Sequence, residues 1–336
     1  MSTGRSPASE LTLVDSGAHR VDLLSDACVV DDRSLMSNPA DLLARVDRAR
    51  DEHRRIAVTD VGTRPESLSI LPLIEPDIIV LAPELAGANA DVSAAARALH
   101  VLAAQAERTG AVIIASGVDS ERHRRRALAL GATYGMGELF PPVSAAKYPA
   151  KGPMTTPTWS TPPADSRSPF DIASAEQPST VSTKQLLIEM STQIELQASD
   201  AGPDTLTLGT FQHARQFSTR TRRRWQTMAA RTAYTGVYGI EMADVSTPGI
   251  VTCSLDPVDD LVEEWNVVVL GQFFCCTLSA KDLHSGNSDH EREFEYVVSH
   301  DRGTVVRCAR AVLSRFEARR AARPFGRAAG EHDRTD

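Results

Sequence analysis

The chain has 336 residues, 42% hydrophobic and 24% charged, which suits about two domains with ordinary buried cores. With 36 Lys and Arg against 44 Asp and Glu the formal charge is −8, so the chain lacks the basic field that a nucleic-acid partner needs. The start MSTGRSPASELTLVD has no apolar core behind a basic segment, and no apolar run reaches the roughly 20 residues of a membrane helix. Five cysteines without regular spacing fit a reduced cytosol, so a soluble, cytoplasmic protein without nucleic-acid or membrane partners is expected.

Residues 1–26 form an N-terminal segment in which ELTLVD is a candidate strand. Strand and helix signals then alternate over 27–145. ACVV reads as a strand, followed by the helix NPADLLARVDRARDEHRR, with Asn38 as cap, Pro39 in the first turn and Leu42, Leu43, Val46 and Ala49 on one face. RIAVTD is a strand, SLSILPLI a helix and PDIIVLA a strand. SAAARALHVLAAQAERTG is a long helix closed at Gly110 by a left-handed cap. AVIIAS, ERHRRRALALGA and TYGMG add strand, helix and strand. Continuous apolar strands between amphipathic helices predict a parallel sheet covered on both faces.

Residues 146–180 are rich in Pro, Ser and Thr without apolar periodicity, and predict a solvent-exposed linker; the competing reading docks Trp159 and Phe170 on a neighbouring surface. A second α/β domain is expected over 181–318. It opens with a helix whose buried stripe is read as Leu186, Leu187, Met190, Ile194 and Leu196. The strand TLTLGTF and one helix over ARQFSTRTRRRWQTMAART follow. Strands TGVYGI, IVTCSL, NVVVLGQFF, CCTLSA and EFEYVVSHD come next, then the helix TVVRCARAVLSRF. Residues 319–336 are a polar tail.

The runs IAVTDVGTRPESLSILPLIEPDIIVLAPEL and AERTGAVIIASGVDSERHRRRALALGATYGMGELFPP resemble the later half of the EAL domain, the cyclic di-GMP phosphodiesterase built on a TIM-type barrel. The resemblance implies a partial TIM-barrel-like parallel sheet and an active site at the C-terminal strand ends holding two divalent metals. At the positions carrying that chemistry the chain has Val29, Thr59-Asp60, Val80, Ala82, Ser116, Asp119 and Met136, and no counterpart of the strand bearing the Glu-Ala-Leu signature. Val and Ala offer no oxygen to Mg²⁺ or Mn²⁺. Asp60 and Asp119 therefore read as vestigial positions, and neither metal nor other cofactor is expected. A sheet this short has open edges, which predicts a homo-oligomer or a tight contact between the domains.

The runs KQLLIEMSTQIELQA, GTFQHARQFSTRTRRRWQTMA, TGVYGIEM, LDPVDDLVEEWNVVVLGQFFCCTLSAKDL and FEYVVSHDRGTVVRCARAVL resemble the DICT domain, a sensory module found beside diguanylate cyclase, EAL and histidine kinase domains. The two resemblances imply a non-catalytic signalling protein that senses a small molecule or a partner protein. The alternatives are a cyclic di-GMP receptor or a weak phosphodiesterase.

Phe211-Gln212 and Phe217 lie where a strand leaves the sheet, where open α/β sheets bind ligands. With Trp225, Trp265, His300 and Asp301 they are the candidate ligand-binding set; the competing reading makes the aromatics core and His300-Asp301 a turn. Arg220 to Arg224 and Arg122 to Arg126 read as solvated helix faces, the first balanced by the acidic stretch Asp256 to Glu264. Cys275 and Cys276, adjacent on a strand, read as small hydrophobes.

Overall fold

The computed structural model describes residues 11–13, 20–21, 23–87, 91–140, 165–242, 245–285, 288–289 and 291–316. The first sheet contains β1 (Leu11–Leu13), β2 (Arg20–Val21), β3 (Cys28–Val30), β4 (Ile56–Val61), β5 (Ile78–Leu81), β6 (Val112–Ala115) and β7 (Tyr134–Gly135). Strands β3 to β7 run parallel and sit side by side in chain order. Between them lie α1 (Asp32–Ser37), α2 (Pro39–Asp51), α3 (Pro65–Ile74), α4 (Pro83–Ala86), α5 (Val92–Thr109) and α6 (Glu121–Ala129).

The two-residue period of the strands sorts their side chains onto two buried faces. Ile56, Val58, Ile79, Leu81, Ile113 and Ala115 pack under the helices. Ala57, Ile78, Val80 and Ile114 pack on the other face with Leu23 and Ala27. The expected strand within ELTLVD forms: Leu11–Leu13 pairs antiparallel with β7 and so covers one edge of the parallel series. At the other edge, among the described residues, β3 pairs with β4 alone, and Val29 is exposed there.

The second sheet holds β8 (Thr180–Thr183), β9 (Leu206–His213), β10 (Tyr234–Ile240), β11 (Val251–Ser254), β12 (Glu264–Leu270), β13 (Cys275–Asp282) and β14 (Glu293–Ser299), in the order β11-β10-β9-β12-β13-β14-β8. Strands β9, β10 and β11 are parallel; β12, β13, β14 and β8 each join antiparallel. One face carries α7 (Pro169–Glu176) and α10 (Arg302–Leu313), the other α8 (Lys184–Asp200) and α9 (Thr219–Ala229). The centre of the sheet is apolar on both faces, since β12 alternates Val267 and Val269 toward α8 with Val268 and Leu270 toward α10.

Three expectations need correction. The linker does not extend to 180, because Pro169–Glu176 is helical with Ser168 as its cap, and Phe170 is buried against Ala173 and Val297. The run Ser168-Pro169, with Asp171 in the first turn, is a helix start hidden inside a Pro/Ser-rich composition. Residues 146–164, with Trp159, and 319–336 lie outside the described residues. On α8 the buried stripe is Leu187, Ser191, Ile194, Glu195 and Ala198, while Leu186 and Leu196 are exposed. The helix expected from 214 is interrupted: a single 3-10 turn at Ala214–Gln216 precedes α9, which Ser218 caps.

The two units share one core. Helix α10 packs on α2 and α3, and the apolar cluster runs from Leu42, Val46 and Ile70 through Val305 and Ala309 to Leu206 and Tyr238. Arg310, 7% exposed, pairs there with Asp47 and donates to the Leu73 carbonyl. Beside it, Arg108 and Arg302 both donate to the Gln272 carbonyl, and the buried amides of Gln105 and Gln272 meet. Burial drives the Asp47 carboxyl up and the Arg310 guanidinium down, against their mutual attraction, so the pair fixes geometry more than it adds stability.

Candidate functional site

The site is built where β9 leaves the second sheet. Gly209 has no side chain, and a Cβ there would fall 2.4 Å from the Trp225 ring, so the glycine lets the indole close on the strand. Trp225 then backs Phe211 and Phe217, with ring centroids 5.9 and 6.3 Å away, and Phe211 and Phe217 are 5.1 Å apart. Beside this aromatic block, a cavity of about 730 Å³ is lined by residues of β9, α8 and α9.

Phe211, Trp265, Phe294 and Ile188 give the cavity its apolar wall. Trp265 meets Phe294 edge-on at 6.1 Å, and the Arg292 guanidinium covers Phe294 at 5.4 Å. The floor is polar and fully paired. Gln212 donates to Asp282 at 3.0 Å and accepts from Arg292 at 3.1 Å and Gln216 at 2.8 Å; Arg292 also pairs with Asp282. On α8, Glu195 is 3% exposed and receives Arg224; burial, the larger effect, pushes its carboxyl above the ordinary range while Arg224 pulls it down. At the mouth Lys184 pairs with Asp289 at 2.6 Å. Arg215 and Arg220 are exposed, and neither has a hydrogen bond or ion pair with any described residue.

The seven candidate ligand residues therefore divide. Phe211, Gln212 and Trp265 line the cavity; Phe217 and Trp225 stand behind it. His300 and Asp301 are elsewhere and are corrected to structural roles. Asp301 caps α10, its carboxylate accepting from the Thr304 N–H at 2.8 Å and hydroxyl at 2.9 Å, which hold it below the usual carboxylate range. His300 Nδ1 lies 3.0 Å from the Cys275 carbonyl. The basic run on α9 is not a plain solvated face either: Arg222 lies over Phe217 and Arg224 binds Glu195, not the stretch 256–264. Cys276 is buried, its thiol pushed up to about 12 by burial, while Cys275 is half-buried on the opposite side.

Sequence reasoning missed Glu195, Arg215, Asp282, Arg292 and Phe294. The one signal was on α8, where Ser191 and Glu195 share a face with Leu187, Ile194 and Ala198, a polar pair on the buried side.

In the first unit, two of the loops at the C-terminal strand ends touch. Gly117 has φ 69°, and a Cβ on it would approach Pro83 Cβ at 2.7 Å. Val118 is buried beside it. Asp60 is exposed with φ 57°. Asp119 is exposed and accepts from the Glu138 N–H at 2.8 Å. Ser116 donates to the Leu81 carbonyl. Among the described residues no three His, Cys, Asp or Glu side chains gather to hold a metal ion. The residues present do not fit the oxygen-rich set that two divalent ions require. Nor is any described helix long and apolar enough to cross a membrane.

Comparison with known proteins gives the same division of the chain. Residues 28–142 match the EAL domain, and residues 170–283 match DICT, a sensory domain in diguanylate cyclases and two-component systems. The chain thus carries an EAL domain followed by a DICT domain. The crystal structure of the EAL domain of Mycobacterium smegmatis DcpA is 19% identical, with a TM-score of 0.29, over 34% of this chain and 51% of that one. The PaMucR phosphodiesterase in its c-di-GMP complex is 21% identical, with a TM-score of 0.31, over 36% of this chain and 49% of that one. The chain spans about half the length of these solved structures, and likenesses so distant carry no argument about its activity. No curated protein matches.

Proposed function

We propose that the chain is a non-catalytic sensor, in which the DICT domain takes a small molecule and the EAL domain serves as a scaffold that conveys the bound state to a signalling partner. The observation that carries this reading is the 730 Å³ cavity with its apolar wall, paired polar floor and unpaired cationic rim. Its size lies within the usual range of small-molecule sites. The shared core supports the scaffold role, since α10 touches both the DICT sheet and helices α2 and α3. The C-terminal strand ends of the EAL domain, with Val29, Val80 and Ala82 where the family's resemblance would put ligating or polar groups, support the absence of turnover. A cytoplasmic place and a second copy covering the open β3 edge belong to the same reading.

Native mass spectrometry of the full chain tests it, with a retained mass released on unfolding as the expected result. Cyclic di-GMP hydrolysis above background in Mg²⁺ or Mn²⁺ would overturn the non-catalytic half. The EAL match favours a second reading, a cyclic di-GMP receptor without turnover. Calorimetry with cyclic di-GMP at millimolar concentration decides it, and no heat excludes it.

A further inference from the structure

We infer that the DICT cavity takes an organic anion: a planar ring lying against Phe211 and Trp265, with its carboxylate or phosphate drawn to Arg215 and Arg220. This rests on the reading of the cavity as a ligand site and names the chemical class that fits it.

The charges around the cavity lead there. Lys184, Arg224 and Arg292 already have carboxylate partners in Asp289, Glu195 and Asp282. Arg215, in the turn after β9, and Arg220, in the first turn of α9, have none. Two guanidinium groups on separate elements border the same cavity, each with its forked donors unspent. An anionic group bridging them would form charge-assisted hydrogen bonds, which are about twice as strong as neutral ones. A cationic ligand would meet these arginines as like charges. The carboxylates of Glu195 and Asp282 are committed to Arg224 and Arg292, which leaves such a ligand only exposed Glu189 as an unpaired acid on the wall. An uncharged ligand would leave the arginines to water.

The ring follows from the opposite wall. Phe211 and Trp265 present aromatic surface, and Trp265 is half-buried with its outer surface open to the cavity. Flat aromatic ligands gain from stacking or edge contacts of this kind. The cavity is large enough for a ring and its anionic group together.

Matched probe pairs on the full-length protein test the class: 2-naphthoate against 2-naphthamide, and AMP against adenosine, by titration calorimetry. The expected result is that the anionic member of at least one pair binds about tenfold or more tighter than its neutral partner, the gain of one charge-assisted contact. Binding by AMP alone identifies a phosphate, and binding by 2-naphthoate alone a carboxylate. The double substitution Arg215→Ala, Arg220→Ala is expected to abolish that preference and to leave the thermal midpoint unchanged, because both side chains are exposed. Equal binding of neutral and anionic members, a preference that survives the double substitution, or silence from all four probes overturns the anion assignment. Silence together with a retained neutral mass in the native spectrum would overturn the assignment alone and leave the sensor reading standing.

Discussion

The two halves of this protein treat the same structural address differently. In the EAL unit two loops at the C-terminal strand ends touch: Gly117 presses on Pro83 and Val118 is buried, while the carboxylates of Asp60 and Asp119 are exposed. In the DICT unit the end of β9 borders a cavity backed by three aromatics and lined with charge. Both are α/β sheets whose strand exits are where such folds place ligands. What separates them is local. One glycine lets two loops touch; another lets an indole close on a strand and back a cavity wall. A fold supplies an address for a site, and the packing there decides whether anything is received.

The largest test attacks the join between the halves. Arg310→Met removes the buried guanidinium that holds the partly exposed Asp47 carboxylate and should lower stability by about 2–3 kcal/mol. Denaturant melts followed by separate probes in each half should still coincide; two separated transitions would break the picture of one cooperative body. Paired glycine substitutions sharpen the comparison itself. Gly209→Ala and Gly117→Ala should each cost about 1–3 kcal/mol, since each Cβ meets a neighbour below 3 Å. Only Gly209→Ala should alter ligand affinity, because it displaces Trp225 behind the cavity wall.

Asp301→Ala should cost about 1 kcal/mol through the lost cap of α10 and leave ligand affinity untouched. A fall in affinity would return His300-Asp301 to the site. The smallest effect is a pH trend at Glu264, 2% exposed, whose carboxyl accepts from the Phe170 N–H at 3.2 Å and Asn266 at 3.0 Å. Burial raises it above 4.5, so its contribution to stability is complete below that pH and is lost as pH rises through the higher folded value. Relative to the natural protein, Glu264→Gln should therefore gain stability as pH climbs from 4 toward 8, read from paired thermal melts; a flat difference would show that the group titrates normally.

Much of the fold was legible before any coordinates. Apolar runs such as PDIIVLA and NVVVL became strands, though GQFF, read as part of the second, is the turn into β13; Asn38 capped α2, and Gly110 closed α5 with φ 70°. These features are local, written in periodicity and capping. The site was half legible, because Phe211 and Gln212 were found from their place at a strand exit. Arg292 and Asp282 were not, since only the turn between β13 and β14 and the antiparallel pairing bring them under Gln212. Leu186 and Leu196 misled for a related reason: apolar residues on two sides of α8 fitted the period, and the choice of buried face belonged to Glu195 meeting Arg224.

Helix α10 is the last described element of the chain, yet it rests on α2 and α3, which were made first. On the ribosome the EAL unit must therefore wait for it. At roughly 5–20 residues per second, the stretch from β7 to α10 takes on the order of 10–30 s to synthesise. Throughout that interval the faces of α2 and α3 destined for α10 are bare, and the nascent chain is a client for whatever holds exposed apolar surface in the cell. Codon choice between the two halves, which leaves every residue unchanged, thereby becomes a variable in how much of this protein reaches its folded state.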